Sequence, residues 1–311
     1  MASLAQRRLF WIIAIAVFAA LFFFPSLIGL LIDWWWFQEI GYQVVFTREL
    51  LTRVLLFLVG GGLAFGVLYF NLRTAQRGIV PDAVVLRLGQ LSRGPRVDVT
   101  GALRRLSLPV ALTLGLLAGL SATSAWELVL RLIYRTPFGT ADPVFSRDIG
   151  FYVFTLPALR AGLGFLTTLA VLSLLLVVPL YALRSDILFS SQGPRRPGRL
   201  RVEPSAGLHV ASLLAALFLL SALRIWLVRI PDLLYSTTGP LVGASYTDLH
   251  ATLPALRISV VVALLAAVAV VIGAMRRELG RFALLAIGGY LGVAVIGRGL
   301  FPAVMQKFLV S

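Results

Sequence analysis

Long apolar stretches alternate with short polar segments along the whole chain. Seven of them reach the roughly 20 residues that a helix needs to cross a hydrocarbon core about 30 Å thick. A membrane β-barrel would instead show segments of about 10 residues with alternating polarity, and no such series is present. The pattern predicts an all-α integral membrane protein, a single domain over residues 1–311, with spans at approximately 9–32, 50–70, 106–125, 157–182, 208–228, 255–275 and 282–302.

Composition and charge placement support this prediction and add an orientation. Of the 311 residues 59% are hydrophobic and 13% charged, whereas soluble domains carry about 25% charged residues. Most arginines lie before the first span and after the second, fourth and sixth. Since cytoplasmic segments hold an excess of basic residues, we predict a multi-pass protein of the bacterial cytoplasmic (inner) membrane, with a cytoplasmic N-terminus and an extracytoplasmic C-terminus.

The net charge of +15 raises the question of nucleic-acid binding. Arginines beside membrane spans are expected from topology and are attracted to anionic lipid, by about 1 kcal/mol each near the surface. The basic loop "RRPGRLR" (residues 195–201) is interrupted by Pro and Gly, which favours a solvated turn. We therefore expect membrane lipids, and no nucleic acid, as partners.

Three consecutive tryptophans follow the first span, in "DWWWFQEIGY" (residues 33–42). Tryptophan is amphipathic and collects at membrane interfaces. Adjacent helical positions point in different directions, so the three indoles cannot all face lipid or all face one partner. We predict contacts with a partner or bound lipid at Trp34, Trp35, Trp36, Tyr42 and Phe46. The mixed segment after them predicts a short helix in the interface, one of several in the outer loops.

The hexapeptide "TLPALR" occurs twice, at residues 155–160 and 252–257, each time opening an inward-running helix. One interpretation is local: Thr caps the helix, Pro suits its first turn and Arg anchors at the interface. The alternative is an old duplication of a helical hairpin. "SYTD" (residues 245–248) also fits a capping box and predicts a short outer helix before the sixth span.

Charges of both signs alternate in the outer segments. We predict that they pair across loops and form a rigid outer platform; the alternative is that they only solvate the loops. The predicted network comprises Asp33, Glu39, Arg131, Arg135, Arg147, Asp148, Arg160, Asp248 and Arg257. Arg224, Arg229 and Arg298 lie near the outer ends of their spans, close enough to snorkel.

Several outer-loop motifs resemble an uncharacterised family of large bacterial membrane proteins. They are "DWWWFQEIGYQVVFTRELLTR" (residues 33–53), "DPVFSRDIGFYVFTLPALR" (142–160) and "GASYTDLHATLPALR" (243–257). The resemblance implies seven N-terminal transmembrane helices followed by a long extracytoplasmic region, and it implies no activity. Because the sequence stops at "FPAVMQKFLVS" (301–311), we expect a relative of the membrane domain only.

Catalytic and metal-binding chemistry has little support in the sequence. With no cysteine, thiolate metal sites and thiol nucleophiles are excluded. His209 and His250 fall at opposite membrane faces; either alone is a candidate pigment or haem ligand, although an interfacial hydrogen-bonding role is more common. Phosphate-binding loops, nucleophile elbows and helical zinc motifs are absent from the sequence. We expect no enzyme activity, no metal and no cofactor other than bound lipid.

Transport is the main functional alternative. The central thirds of the seven spans hold no acid or base, although such residues usually mark a transport pathway. This favours an accessory or scaffolding subunit that associates with other integral membrane subunits over a transporter or channel. "VGGGLAFG" (residues 59–66) predicts close helix approach through Gly62 and Gly66.

Overall fold

A computed structural model describes residues 4–77, 85–86, 97–184, 187–190, 199–236 and 243–305. Within these ranges the regular secondary structure is helical apart from two short antiparallel strand pairs, and a helix covers each predicted span. The helices are α1 (Leu4–Glu39), α2 (Gln43–Gln76), α3 (Val99–Thr123), α4 (Trp126–Ile133), α5 (Leu156–Leu183), α6 (Pro204–Arg224), α7 (Leu253–Met275), α8 (Leu279–Val295) and α9 (Phe301–Met305).

Among the residues that the structure describes, five helical segments are long and apolar enough to cross a membrane: 43–76, 105–123, 151–183, 204–229 and 248–275. Helix α8 is a shorter apolar helix of 17 residues. The helical class and the membrane-like apolar helices are thus confirmed. The count of seven spans and the orientation of the termini stay predictions.

The strand pairs lie in the connections that follow α2 and α5. Strands β1 (Val85–Leu86) and β2 (Val97–Asp98) pair between α2 and α3, and β3 (Ile187–Ser190) and β4 (Arg199–Val202) pair between α5 and α6. Residues 195–198 of the basic loop lie outside the described ranges, while residues 199–201 belong to β4.

The chain divides into two compact units, Met1–Leu55 and Leu56–Ser311. The first unit contains α1 and the opening turns of α2. Gly41 takes a positive φ of 77° between them, a conformation that glycine adopts without steric cost. The prediction of a separate interfacial helix after the tryptophans is wrong, because α2 already begins at Gln43.

In the second unit, α5 to α8 pack as consecutive antiparallel neighbours. Small side chains fill much of the contact region, which lets the helix backbones approach closely. The buried alanines of these four helices are Ala170, Ala206, Ala211, Ala215, Ala222, Ala255, Ala263, Ala266, Ala267, Ala274 and Ala286.

Helices α2 and α3 meet along a glycine seam. A Cβ atom added to Gly119 would lie 2.7 Å from the carbonyl oxygen of Phe57, and one added to Gly61 would lie 3.1 Å from that of Gly115. The predicted pair, Gly62 and Gly66, is exposed and has no neighbour within 4 Å of an added Cβ. The prediction that these two bring helices of this chain together is therefore wrong, because they face the other way.

Four five-residue π turns gather at one end of this unit, which we call the π-turn end. They are Phe151–Thr155 before α5, Ile225–Arg229 after α6, Asp248–Thr252 before α7 and Ile296–Leu300 after α8. A π turn holds an extra residue through i to i+5 hydrogen bonds and is frequent at functional sites. In both "TLPALR" copies the threonine ends a π turn and the proline lies in the first α-helical turn.

The local interpretation of the repeat is confirmed for proline and wrong for threonine. Neither Thr155 nor Thr252 makes a side-chain capping hydrogen bond, because the preceding turn is already helical.

Candidate functional site

The aromatic residues after the first apolar run form a cluster within the first unit. The Trp34 and Phe37 rings pack on Phe46, with centroids 5.8 and 5.5 Å apart. Trp35 and Trp36 remain more than half exposed. The cluster thus has an inner part that packs against itself and an outer edge.

The outer edge leaves more exposed surface for the predicted partner or lipid contact than the inner part does. Tyr42 is 62% exposed and belongs to the edge. Phe46 is only 8% exposed, which leaves it little surface for the predicted partner or lipid contact. We define the aromatic edge as Trp35, Trp36 and Tyr42.

A cavity of about 440 Å³ opens at the π-turn end. Its wall combines charged residues with aliphatic ones from the ends of α5, α6 and α7. Arg160 of the first "TLPALR" copy forms an ion pair with Asp232, just beyond α6. The lining residues are Arg160, Arg224, Val228, Arg229, Asp232, Leu233, Thr252 and Leu256. Of the predicted charge network, only Arg160 belongs to this pocket, which we call the arginine pocket.

The carboxylate of Asp142 organises the loop before α5. Its oxygens accept hydrogen bonds from the backbone N–H groups of Val144, Phe145 and Arg147 at 2.6–2.9 Å and from the Tyr152 hydroxyl at 2.8 Å. Burial raises the pKa of this carboxyl, but the four donors together outweigh burial and bring the pKa below its ordinary value.

Asp148 and Arg147 are also engaged within this loop. Asp148 accepts from the backbone N–H groups of Phe138, Gly139 and Gly150 at 2.7–3.1 Å, and the Phe138 N–H contributes most to lowering the Asp148 pKa. The Arg147 guanidinium lies 4.4 Å from the centroid of the Phe151 ring. Their observed contacts therefore set the shape of one loop.

Ser245 and Asp248 form the predicted capping box. The Asp248 carboxylate accepts from the N–H and hydroxyl of Ser245, and the Ser245 hydroxyl accepts from the N–H of Asp248, at 2.8–3.1 Å. The box opens the π turn that continues into α7. His250 accompanies it, with its ring stacked on Tyr246 at 4.0 Å and its Nδ1 3.0 Å from the Tyr246 carbonyl.

None of the remaining members of the predicted network is among the residues that line the arginine pocket. Arg131 pairs with Glu127 one turn earlier on α4. The others are exposed: Asp33, Glu39, Arg135 and Arg257.

A hydrogen-bonded chain of polar side chains crosses three helices near the other end of the bundle. His209 of α6 contacts the Tyr181 hydroxyl through Nδ1 and the Asn71 side-chain oxygen through Nε2, both at 2.9 Å. The Asn71 amide donates to the Val67 carbonyl and to Ser173. Both ring nitrogens of His209 are thus engaged by protein groups, which does not favour the predicted ligation of pigment or haem at this residue.

Sequence reasoning missed most of both polar sites. Arg224 and Arg229 were interpreted as snorkelling residues, and Asn71 was not singled out. A signal was present for the arginines, since two of them lie five positions apart beside an Asp. Among the described residues, no group of three or more His, Asp or Glu side chains is arranged to hold a metal ion.

Comparison with known proteins places the chain in a family. The family described as "Uncharacterised protein family (UPF0182)" matches residues 10–311. A UPF0182 protein of Cupriavidus necator is 35% identical over 312 residues, which covers 97% of this chain and 32% of the relative. One of Mycobacterium marinum is 35% identical over 315 residues, covering 100% of this chain and 31% of the relative.

The chain spans about a third of the length of these curated relatives. No solved structure matches it. Because the family match extends over nearly all of the sequence and the three motifs quoted above (residues 33–53, 142–160 and 243–257) lie inside it, this chain belongs to the UPF0182 family.

Proposed function

We propose that the chain is a seven-span domain of the bacterial cytoplasmic membrane, with its N-terminus cytoplasmic and its C-terminus extracytoplasmic. We further propose that it acts as a non-enzymatic accessory or scaffolding subunit of a larger membrane assembly. The aromatic edge carries this proposal. Its three large rings stay 54–63% exposed, although the Trp36 ring has Phe37 beside it. Tyr and Trp dominate the energetic centres of protein interfaces, where they bury a large area with little loss of side-chain freedom.

The exposed face of α2 offers a second element for association. Gly62 and Gly66 are four residues apart and exposed, the small-residue spacing that permits close approach of another helix. An incoming transmembrane helix would thus find a smooth surface at these two glycines. Lipid can occupy the same edge, since Trp and Tyr also favour the headgroup region.

The test is native mass spectrometry of the protein extracted from its own membrane in mild detergent. The double variant Trp35→Leu/Trp36→Leu should lose co-migrating subunits while insertion into the membrane stays normal. Trp226→Leu is the matched control, because Trp226 is an equally exposed tryptophan (52%) outside the aromatic edge. An unchanged assembly in the double variant, or a wild-type protein that migrates alone, would overturn the scaffolding proposal.

Transport of an unidentified solute is the second candidate function. The observation that favours it is the Asn71–His209–Tyr181 chain, since polar groups inside transmembrane segments are costly and commonly functional. Solute flux in reconstituted vesicles tests it: loss of flux in Asn71→Leu, with the wild type active, would establish transport. Pigment or haem ligation at His209 or His250 stays a prediction, which an absorption spectrum of the purified protein would check.

A further inference from the structure

We propose that the arginine pocket is a binding site for a phosphate-bearing anion with an attached apolar group. The pocket lies where the ends of α5, α6 and α7 meet, and none of the family matches assigns a site to it. The pocket volume of about 440 Å³ falls within the range of about 300–1,000 Å³ that is usual for small-molecule sites.

The charge balance of the wall favours an anion. Three arginines line it, Arg160, Arg224 and Arg229, against a single carboxylate, Asp232. Asp232 is already paired with Arg160, so the wall keeps a net positive charge whatever other contacts the arginines make. The planar guanidinium presents parallel N–H donors that match phosphate oxygens, which a point-like ammonium does not.

The π turn Ile225–Arg229 explains why two of these arginines line the same cavity. In a regular α-helix, positions five apart point about 140° away from each other, so Arg224 and Arg229 would lie on different faces. A π turn closes i to i+5 hydrogen bonds, and the Ile230 N–H accordingly bonds the Ile225 carbonyl at 2.9 Å. The extra residue changes the angle between positions 224 and 229, and both arginines line the cavity.

The rest of the wall and its position indicate what is attached to the phosphate. Val228, Leu233 and Leu256 give the pocket an aliphatic surface beside the charges. Three helical segments that are apolar enough to cross a membrane each have one end at this pocket. They are 151–183, 204–229 and 248–275. The pocket therefore lies at the level where apolar spans give way to polar surface, which is the level of lipid headgroups.

Two sources can supply this chemistry: the headgroup of an anionic phospholipid, or a soluble organic phosphate. The purified chain in detergent would be titrated with phosphatidylglycerol and, separately, with glycerol phosphate, and bound molecules counted by native mass spectrometry. Phosphatidylcholine with the same acyl chains measures non-specific lipid retention. The variants are Arg224→Gln and Arg229→Gln. Arg257→Gln is the control, because Arg257 is an exposed arginine near the start of α7 that does not line the pocket.

We expect each pocket substitution to weaken binding of one of the two anions about tenfold, the size of one charge-assisted hydrogen bond, while Arg257→Gln leaves it unchanged. Sensitivity of phosphatidylglycerol binding identifies a lipid site, and sensitivity of glycerol phosphate binding alone identifies a soluble ligand. Arg224→Lys, which keeps the charge and loses the planar fork, should be intermediate. The proposal is overturned if neither anion binds, if binding is the same in all variants, or if Arg257→Gln loses as much as the pocket variants. Arg229 is exposed, so its variant remains informative if Arg224→Gln fails to fold.

Discussion

The two "TLPALR" copies have the same six residues and the same backbone, yet they bury different side chains. Each follows a π turn and opens a long helix. The first copy buries its leading leucine, Leu156, to 1% exposure, while the matching Leu253 is only partly buried. The second copy instead buries Ala255 and Leu256. The motif thus encodes how a helix starts, and the neighbouring elements decide which of its faces becomes core.

The arginines that end the two copies differ in the same way. Arg160 pairs with Asp232 and lines the arginine pocket, whereas Arg257 is exposed. The repeated hexapeptide is therefore not accompanied by a repeated site.

Truncating leucines should give the largest difference in lost stability between the two copies. Leu156→Ala and Leu256→Ala each remove a fully packed side chain and should lower the free energy of unfolding by about 2–5 kcal/mol. Leu253→Ala and Leu159→Ala are the counterparts in the other copy. They should lower the free energy of unfolding clearly less, because both residues are partly exposed. Thermal unfolding in one detergent compares all four. Equal losses within each matched pair would show that the copies are packed alike after all.

Enlarging the alanine of each copy tests the same difference from the opposite direction. A Cβ placed on Gly297 would lie only 3.0 Å from the Ala255 Cβ, so Ala255→Leu should overpack this contact and cost about 1–3 kcal/mol. Ala158→Leu, at the matching position of the first copy, should be tolerated because Ala158 is partly exposed. A stable Ala255→Leu protein would contradict the close approach of these two segments.

Removing the capping box should have a moderate effect confined to the second copy. Ser245→Ala deletes the hydroxyl that exchanges hydrogen bonds with Asp248 and should destabilise the protein by about 1 kcal/mol. Thr155→Ala and Thr252→Ala should change stability little, since neither threonine caps its helix. Amide hydrogen exchange should become faster at residues 246–252 in Ser245→Ala. Faster exchange in the loop before α5 instead would contradict a local capping role.

The smallest expected difference is a pH dependence specific to the first copy. The folded-state pKa of Asp142 is lowered, so its carboxylate stabilises the protein fully above the unfolded pKa of about 3.9. That contribution is lost as the pH falls through the lower folded value. The difference in melting temperature between the wild type and Asp142→Asn should therefore be constant near neutral pH and shrink below about pH 4. A difference in melting temperature that grows as the pH falls would contradict the lowered pKa of Asp142 in the folded protein.

Much of the fold follows from local features of the sequence. Apolar length predicted a helix at each of the seven positions, proline predicted the first turns of α5 and α7, and the Ser245–Asp248 spacing predicted a cap. These are interactions within one or two helical turns, so the chain encodes them without reference to the rest of the molecule.

The candidate site was far less predictable. Arg160 and Arg257 looked equivalent, and Arg224 and Arg229 looked like interface anchors, because the π turn that brings two of these arginines together leaves no periodic signal in an all-apolar helix. The glycine seam shows the same limit: Gly61, Gly115 and Gly119 form it, while the more regular pair Gly62 and Gly66 faces outward.

The sequence by itself determined that this protein is built from long apolar helices, their approximate positions and which ends carry charge, because these properties depend on hydrophobic length and short-range hydrogen bonds. Only the tertiary structure decided which face of each repeat is buried, which glycines touch and which arginines share a pocket. Those outcomes depend on contacts between residues about 50 to 100 positions apart, such as Gly61 with Gly115, Arg160 with Asp232 and Asn71 with Ser173, and packing of this kind has no counterpart in a local pattern.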